Sequence, residues 1–161
     1  MKEWNKRPKE IASNFNPAFC GELIYYVLEE YQKINNKGLP FLLLPLVLPV
    51  VLHKDTRDTM SSSRTHMSVW LHQNSEVKIN FADRVSNLLE ITLETYAFLI
   101  YYNVIEIKNG SLFLKNKLIK RKSIELHEET KDCIDKAKIV GRWFAKNKDV
   151  STIYFMWGIK P

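Results

Sequence analysis

Cysteine is scarce in this 161-residue chain. Its two copies, Cys20 and Cys133, make no CxxC pair, which excludes a disulfide-stapled scaffold and a cysteine-rich metal site and fits a reducing cytosol. Glycine and proline are also few, at 5 and 6 residues, so neither a fibrous repeat nor a low-complexity tract is present. The most apolar stretch, FLLLPLVLPVVL at 41–52, would rise only ~18 Å as helix, against the roughly 30 Å of a bilayer core. Pro45 and Pro49 interrupt it as well. The opening residues, MKEWNKRPKEIASNF, lack the apolar core of a signal peptide. A cytoplasmic protein with no membrane element is expected.

Catalytic signatures are missing too. The sequence holds no GxxxxGK[ST], GxSxG, HExxH or GxGxxG. The four histidines, His53, His66, His72 and His127, form no i, i+4 pair. Two groupings imitate sites. His66 near Ser61, Ser62 and Ser63 has the look of a base and a nucleophile, but short serine clusters usually begin helices. Glu128, Glu129, Asp132 and Asp135 resemble a carboxylate cluster, but they alternate with Lys131, Lys136 and Lys138 as on a solvated helix face. Cys20, among Phe19, Leu23 and Ile24, reads as a buried thiol. The expectation is a protein with no catalytic residues, no cofactor and no metal.

What is present is a packed globular composition: 45% hydrophobic, 26% charged, net charge +6. Residues 1–13 read as a flexible arm ahead of one domain over 14–161. Asn16-Pro17 opens a helix, with Asn16 as cap and Pro17 at the first position, and Asn35-Asn36-Lys37-Gly38 closes it. Phe19, Leu23, Tyr26, Val27 and Tyr31 fall near one face. The proline-punctuated run should follow as a kinked helix or two short ones, with Pro40 starting a turn. Every face of it needs cover, a hint of assembly. The serine cluster should start a helix running through Met67, Trp70 and Leu71 to about Gln73. A small strand is expected at 77–79, then a long helix over 81–103, capped by Asn80. Phe81, Val85, Leu88, Leu89, Tyr96, Leu99 and Ile100 mark its buried stripe.

Asn109-Gly110 is the preferred pair for a two-residue type I′ turn. It predicts a hairpin pairing Lys108 with Ser111, Ile107 with Leu112 and Ile105 with Leu114. A basic run follows (Lys115, Lys117, Lys120, Arg121, Lys122), then a helix opened by Glu125, Glu128 and Glu129 and reaching about Asn147. The last segment, STIYFMWGIKP, opens with Ser151 or Thr152 as cap. The fold class is therefore mostly α with one β-hairpin, a winged-helix-like single domain with extra N- and C-terminal helices. Such domains often bind DNA, and the basic run suits phosphates without base reading. The competing account is that the lysines only keep the protein soluble. The helix over 81–103 carries one base, Arg84, and makes a poor groove reader.

Four stretches, NPAF at 16–19, the LP…LPLVLPVVLHKDTR region at 39–57, GRWFAK at 141–146 and STIYFMWGIKP at 151–161, occur in this order. Together they resemble the middle-component family of bacterial three-component ABC systems, a group related to the Lamassu defence systems. The resemblance implies a non-enzymatic accessory subunit. Its partners would be an SMC-like ABC ATPase and an effector, a nuclease, in resistance to phage or plasmids. Leu46, Val50, Trp143, Phe144, Phe155 and Trp157 are the residue types that anchor interfaces. The alternative for the GRWF aromatics is packing within their own domain, through Gly141. A stand-alone winged-helix DNA-binding regulator is the second functional reading, and a hydrolase built on His66 the third.

Overall fold

The computed structural model describes residues 15–60, 64–116, 126–147 and 149–159. The expected arm over 1–13, the serine cluster at 61–63 and most of the basic run lie outside these residues. Helix α1 (Pro17–Asn35) starts as the sequence requires. Asn16 accepts from the Ala18 N–H at 2.8 Å, and Pro17 occupies the first turn, where a missing donor costs nothing. It ends on Asn36, held left-handed at φ 50°.

Residues Leu39–Pro40 form a short strand, β1, which the sequence reading did not anticipate. Pro40 leads into a 3-10 turn over Phe41–Leu43, and α2 (Leu44–Val51) and α3 (Lys54–Thr59) complete the proline-rich region as two short helices. Pro45 sits in the first turn of α2, so only Pro49 interrupts its hydrogen-bond ladder. After α4 (Met67–Gln73) the chain makes a 3-10 turn over Ser75–Lys78 instead of the expected strand. Val77 is buried there, and the Arg84 guanidinium takes the Val77 and Ile79 carbonyls, so no strand partner is needed. Helix α5 spans Phe81–Tyr101. Asn80 stands before it at φ 55°, and its side chain makes no cap bond.

The hairpin β2 (Ile105–Lys108) and β3 (Ser111–Leu114) has the predicted register, with Asn109 at φ 50° and Gly110 at φ 72°. β1 adds to its far side, Leu39 opposite Leu112, giving the antiparallel order β1-β3-β2. Proline is tolerated in β1 because that strand is an edge. Helix α6 (Glu128–Lys146) and α7 (Val150–Met156) close the fold. Asp149, rather than Ser151 or Thr152, caps α7, accepting from the Thr152 N–H at 2.7 Å. The architecture is mostly helical with one small sheet and extra terminal helices, consistent with a winged-helix-like domain. Among the described residues, no helix is long and apolar enough to cross a membrane.

Helices α1 and α6 form the spine of the single core. They approach closely because Gly141 has no side chain: a Cβ there would lie 2.5 Å from the Val27 carbonyl oxygen. Arg142 pairs with Glu30 at 2.7 Å across this crossing, and the Asn35 amide donates to the Ala145 carbonyl at 3.0 Å. Helix α2 is enclosed by α1, α5 and α6. Leu44, Leu46, Val47, Leu48, Val50 and Val51 have almost no exposed surface. The chain covers its own apolar run, so that run is no argument for assembly.

Helix α5 corrects the expected stripe. Phe81 and Leu99 are buried and Val85, Leu88, Tyr96 and Ile100 partly so, but Leu89 is 40% exposed. The remaining buried positions are Thr92 and Thr95, whose hydroxyls donate back to the Leu88 and Ile91 carbonyls. Small side chains are what fit there: Leu99 and Thr95 pack onto Gly21 of α1.

Candidate interaction surface

The stretches that carry the family resemblance meet in the interior. Trp143 of GRWF lies against Trp70 with ring centroids 4.7 Å apart. Trp70 contacts Trp157 at 5.9 Å, and Trp157 stacks on Phe81 at 4.2 Å. Backbone carbonyls anchor two of these rings: the Trp70 indole donates to Thr59 at 3.0 Å and that of Trp143 to Thr65 at 2.7 Å. This aromatic column ties α4, α5, α6 and the C-terminal segment into one body.

The HKDTR stretch is a second knot. His53 accepts from the Thr56 N–H at the start of α3. The Arg57 side chain is 3% exposed; it donates to the Val51 and Leu52 carbonyls and pairs with Asp132 at 3.0 Å and Glu129 at 2.8 Å. Three of the four apparent cluster carboxylates are thus divided among cations: Glu129 and Asp132 meet Arg57, Asp132 also faces Lys136, and Asp135 faces Lys138. Among the described residues, no group of three or more His, Cys, Asp or Glu is arranged to hold a metal. A cavity of about 390 Å³ opens beside Arg57, between Phe19, Leu52, Glu129 and Cys133. Its thiol is no activated nucleophile, since burial pushes the Cys133 pKa up. Burial likewise pushes the Cys20 thiol up to about 12. His66 precedes α4 as its N-terminal flanking residue, and the serines proposed to work with it fall outside the described residues.

Of the six aromatic and aliphatic residues singled out as anchors, Leu46, Val50, Trp143, Phe144 and Trp157 are at most 1% exposed. Their side chains fill the chain's own core. Phe155 is different: it is 83% exposed on α7, next to Tyr154, whose hydroxyl donates to the Leu42 carbonyl at 2.6 Å. Leu42 itself is 59% exposed. Of the basic residues, Lys115 is exposed and reaches the Asn103 side chain at 3.3 Å, whereas Lys117, Lys120, Arg121 and Lys122 lie outside the described residues. Tyr101 and Tyr102, 78% and 60% exposed, stand at the same end of α5. Sequence reasoning overlooked these tyrosines, Leu42 and Leu93, because hydrophobic periodicity assigns such residues to a core.

A family model described as ABC-three component (ABC-3C) system Middle Component 3 matches residues 4–161. No curated protein and no solved structure gives a significant match.

Proposed function

The chain belongs to the Middle Component 3 family of ABC-three component systems, and from that membership we propose that it acts as a non-catalytic docking subunit. It binds the ABC ATPase of its system, an SMC-like enzyme of the Lamassu type, in the cytoplasm. There it helps restrain or deliver an effector, a nuclease, in defence against phage or plasmids. The observation that carries this reading is the family match over residues 4–161. The structure supports it in a second way. Glu129 and Asp132 of the apparent carboxylate cluster are engaged by the buried Arg57, while Phe155 and Leu42 offer uncovered apolar surface of the type that anchors interfaces.

Co-expression with the ATPase encoded beside it, followed by size-exclusion chromatography, tests the proposal. Co-elution is expected. Phe155→Ala should weaken the complex about tenfold without lowering the melting temperature, since truncating a central aromatic anchor commonly removes 1.4 kcal/mol or more. Separate elution of the unmodified chain from its ATPase would overturn the reading.

A second reading is favoured by the exposed Tyr101, Tyr102 and Lys115 at one end of α5. Here the basic run (Lys115, Lys117, Lys120, Arg121 and Lys122) contacts DNA without reading sequence, through phosphates. Replacing Lys120, Arg121 and Lys122 with Ala should then flatten the salt dependence of duplex binding. An unchanged slope removes this contact.

A further inference from the structure

Helix α5 has a flank that the core leaves largely uncovered. Leu89 and Leu93 are 40% and 45% exposed and Ala97 is exposed, while Ile100, half-buried against the core, closes the row. Their spacing of 4, 4 and 3 residues places them on one flank of the helix. From Leu89 to Ile100 the stripe is ~16 Å long, about three helical turns. Tyr96 borders it and meets Phe41 edge-on at 5.3 Å; the next residue is the exposed Leu42, whose carbonyl holds Tyr154 beside Phe155. Tyr96, the Phe41-Leu42 pair and Tyr154 therefore connect the stripe to the exposed Phe155 of α7.

Its electrostatics are opposite to those of the chain. The protein carries +6, but α5 holds three acids, Asp83, Glu90 and Glu94, against one base, Arg84. That base is turned to the Ile79 and Val77 carbonyls and lies over the Phe81 ring. Asp83 and Glu90 are exposed two turns apart along the solvent side of the stripe, and Glu90 is one turn from Leu93. Helix α5 precedes the hairpin and, with one base, makes a poor groove reader. Its acidic border repels phosphate and its flank is apolar.

We infer that this flank of α5 is a docking face for an amphipathic helix of the ATPase component, with Lys or Arg bordering that helix's apolar side. The inference rests on the proposed docking role and specifies the surface and the partner's chemistry. A second copy of this chain does not fit, because α5 against α5 would bring acidic borders together. A basic helix satisfies both the leucine stripe and the exposed carboxylates of Asp83 and Glu90, in the groove-binding mode that reads anchors at i, i+4 and i+7 or i+8.

The test uses the full chain co-expressed with its ATPase. The double variant Leu89→Gln, Leu93→Gln keeps helix propensity and changes two side chains outside the core cluster, so it should fold, as its circular dichroism checks, and bind at least tenfold more weakly. Glu90→Lys should weaken binding several-fold and reduce its salt dependence. A photocrosslinker at position 93 should map to an ATPase segment with Lys or Arg at helical spacing. Wild-type binding by the double variant, or crosslinking to an acidic segment, overturns this inference alone. A dimer of the isolated chain that these substitutions dissociate overturns it in favour of self-association. Failure of the unmodified chain to join its ATPase overturns the docking role as well.

Discussion

Gly141 sets the distance between the two longest-packed helices, and its substitution separates two physical effects. By helix propensity alone, Gly141→Ala gains about 1 kcal/mol. Here the new methyl would stand 2.5 Å from the Val27 carbonyl oxygen, a backbone atom that cannot swing away, and 3.0 Å from Glu30 Cβ. Overpacking of this kind costs ~1–3 kcal/mol. Urea denaturation should therefore show a net loss of stability, with the midpoint moving down, not up. Glu30, on the same crossing, gives a pH signature. Burial pushes its carboxyl up, but hydrogen bonds from Arg142 and Lys33 outweigh this and hold its pKa below the usual 4.5. Between the two values the unfolded chain binds more protons than the folded one. The contribution is thus complete above about pH 4.5 and is lost as pH falls through the lower folded value. Glu30→Gln should flatten the decline of stability with acidity in that window, measured by urea midpoints at successive pH values.

At the scale of elements, locality decides what the sequence discloses. The hairpin register was legible because one turn dipeptide and a strict alternation specify it within ten residues. The start of α1 was legible for the same reason, through Asn16 and Pro17. Strand β1 was not, because two residues ending in proline carry no periodic signal and pair only once β3 exists. The inward side of α5 was legible in the main, through Phe81, Val85, Leu88, Tyr96, Leu99 and Ile100, but the exposure of Leu89 and the burial of Thr92 and Thr95 were not. Its apolar residues cover more than half of its circumference, and the side that turns inward is fixed by Gly21 and Leu99 across the α1 contact. The buried threonines follow from that contact. Thr92 has no exposed surface, and its hydroxyl bonds the Leu88 carbonyl, which the helix ladder already satisfies. Removing the hydroxyl leaves no orphaned partner. Thr92→Val should stay within about 1 kcal/mol of wild type, whereas Thr92→Leu should cost ~1–3 kcal/mol through overpacking. Chemical denaturation of the pair distinguishes this from a role for the hydroxyl itself, under which both variants would fall together.

For the whole molecule, residue type does not separate core from interface. Trp143, Trp157 and Phe155 share the chemistry of hot-spot anchors, and so do Leu46 and Val50 with any buried aliphatic. Only the tertiary arrangement shows that the first two tryptophans line a column with Trp70 while Phe155 faces water. The apolar run at 41–52 illustrates the consequence. Read alone, it hints at assembly. In the fold, α1, α5 and α6 enclose α2, and Leu46, Leu48 and Val50 have no exposed surface. Burial of each such side chain is worth ~1.5–3 kcal/mol, and the chain obtains it without help. The isolated protein should therefore be a monomer by light scattering and unfold in one cooperative urea transition, with coincident fluorescence and circular dichroism curves. Dependence of solubility or cooperativity on a co-expressed component would mean that this enclosure is completed only in the assembly. An independently folded subunit instead leaves its partner to engage surface alone: Phe155, Leu42 and the leucine stripe of α5, none of which the core requires.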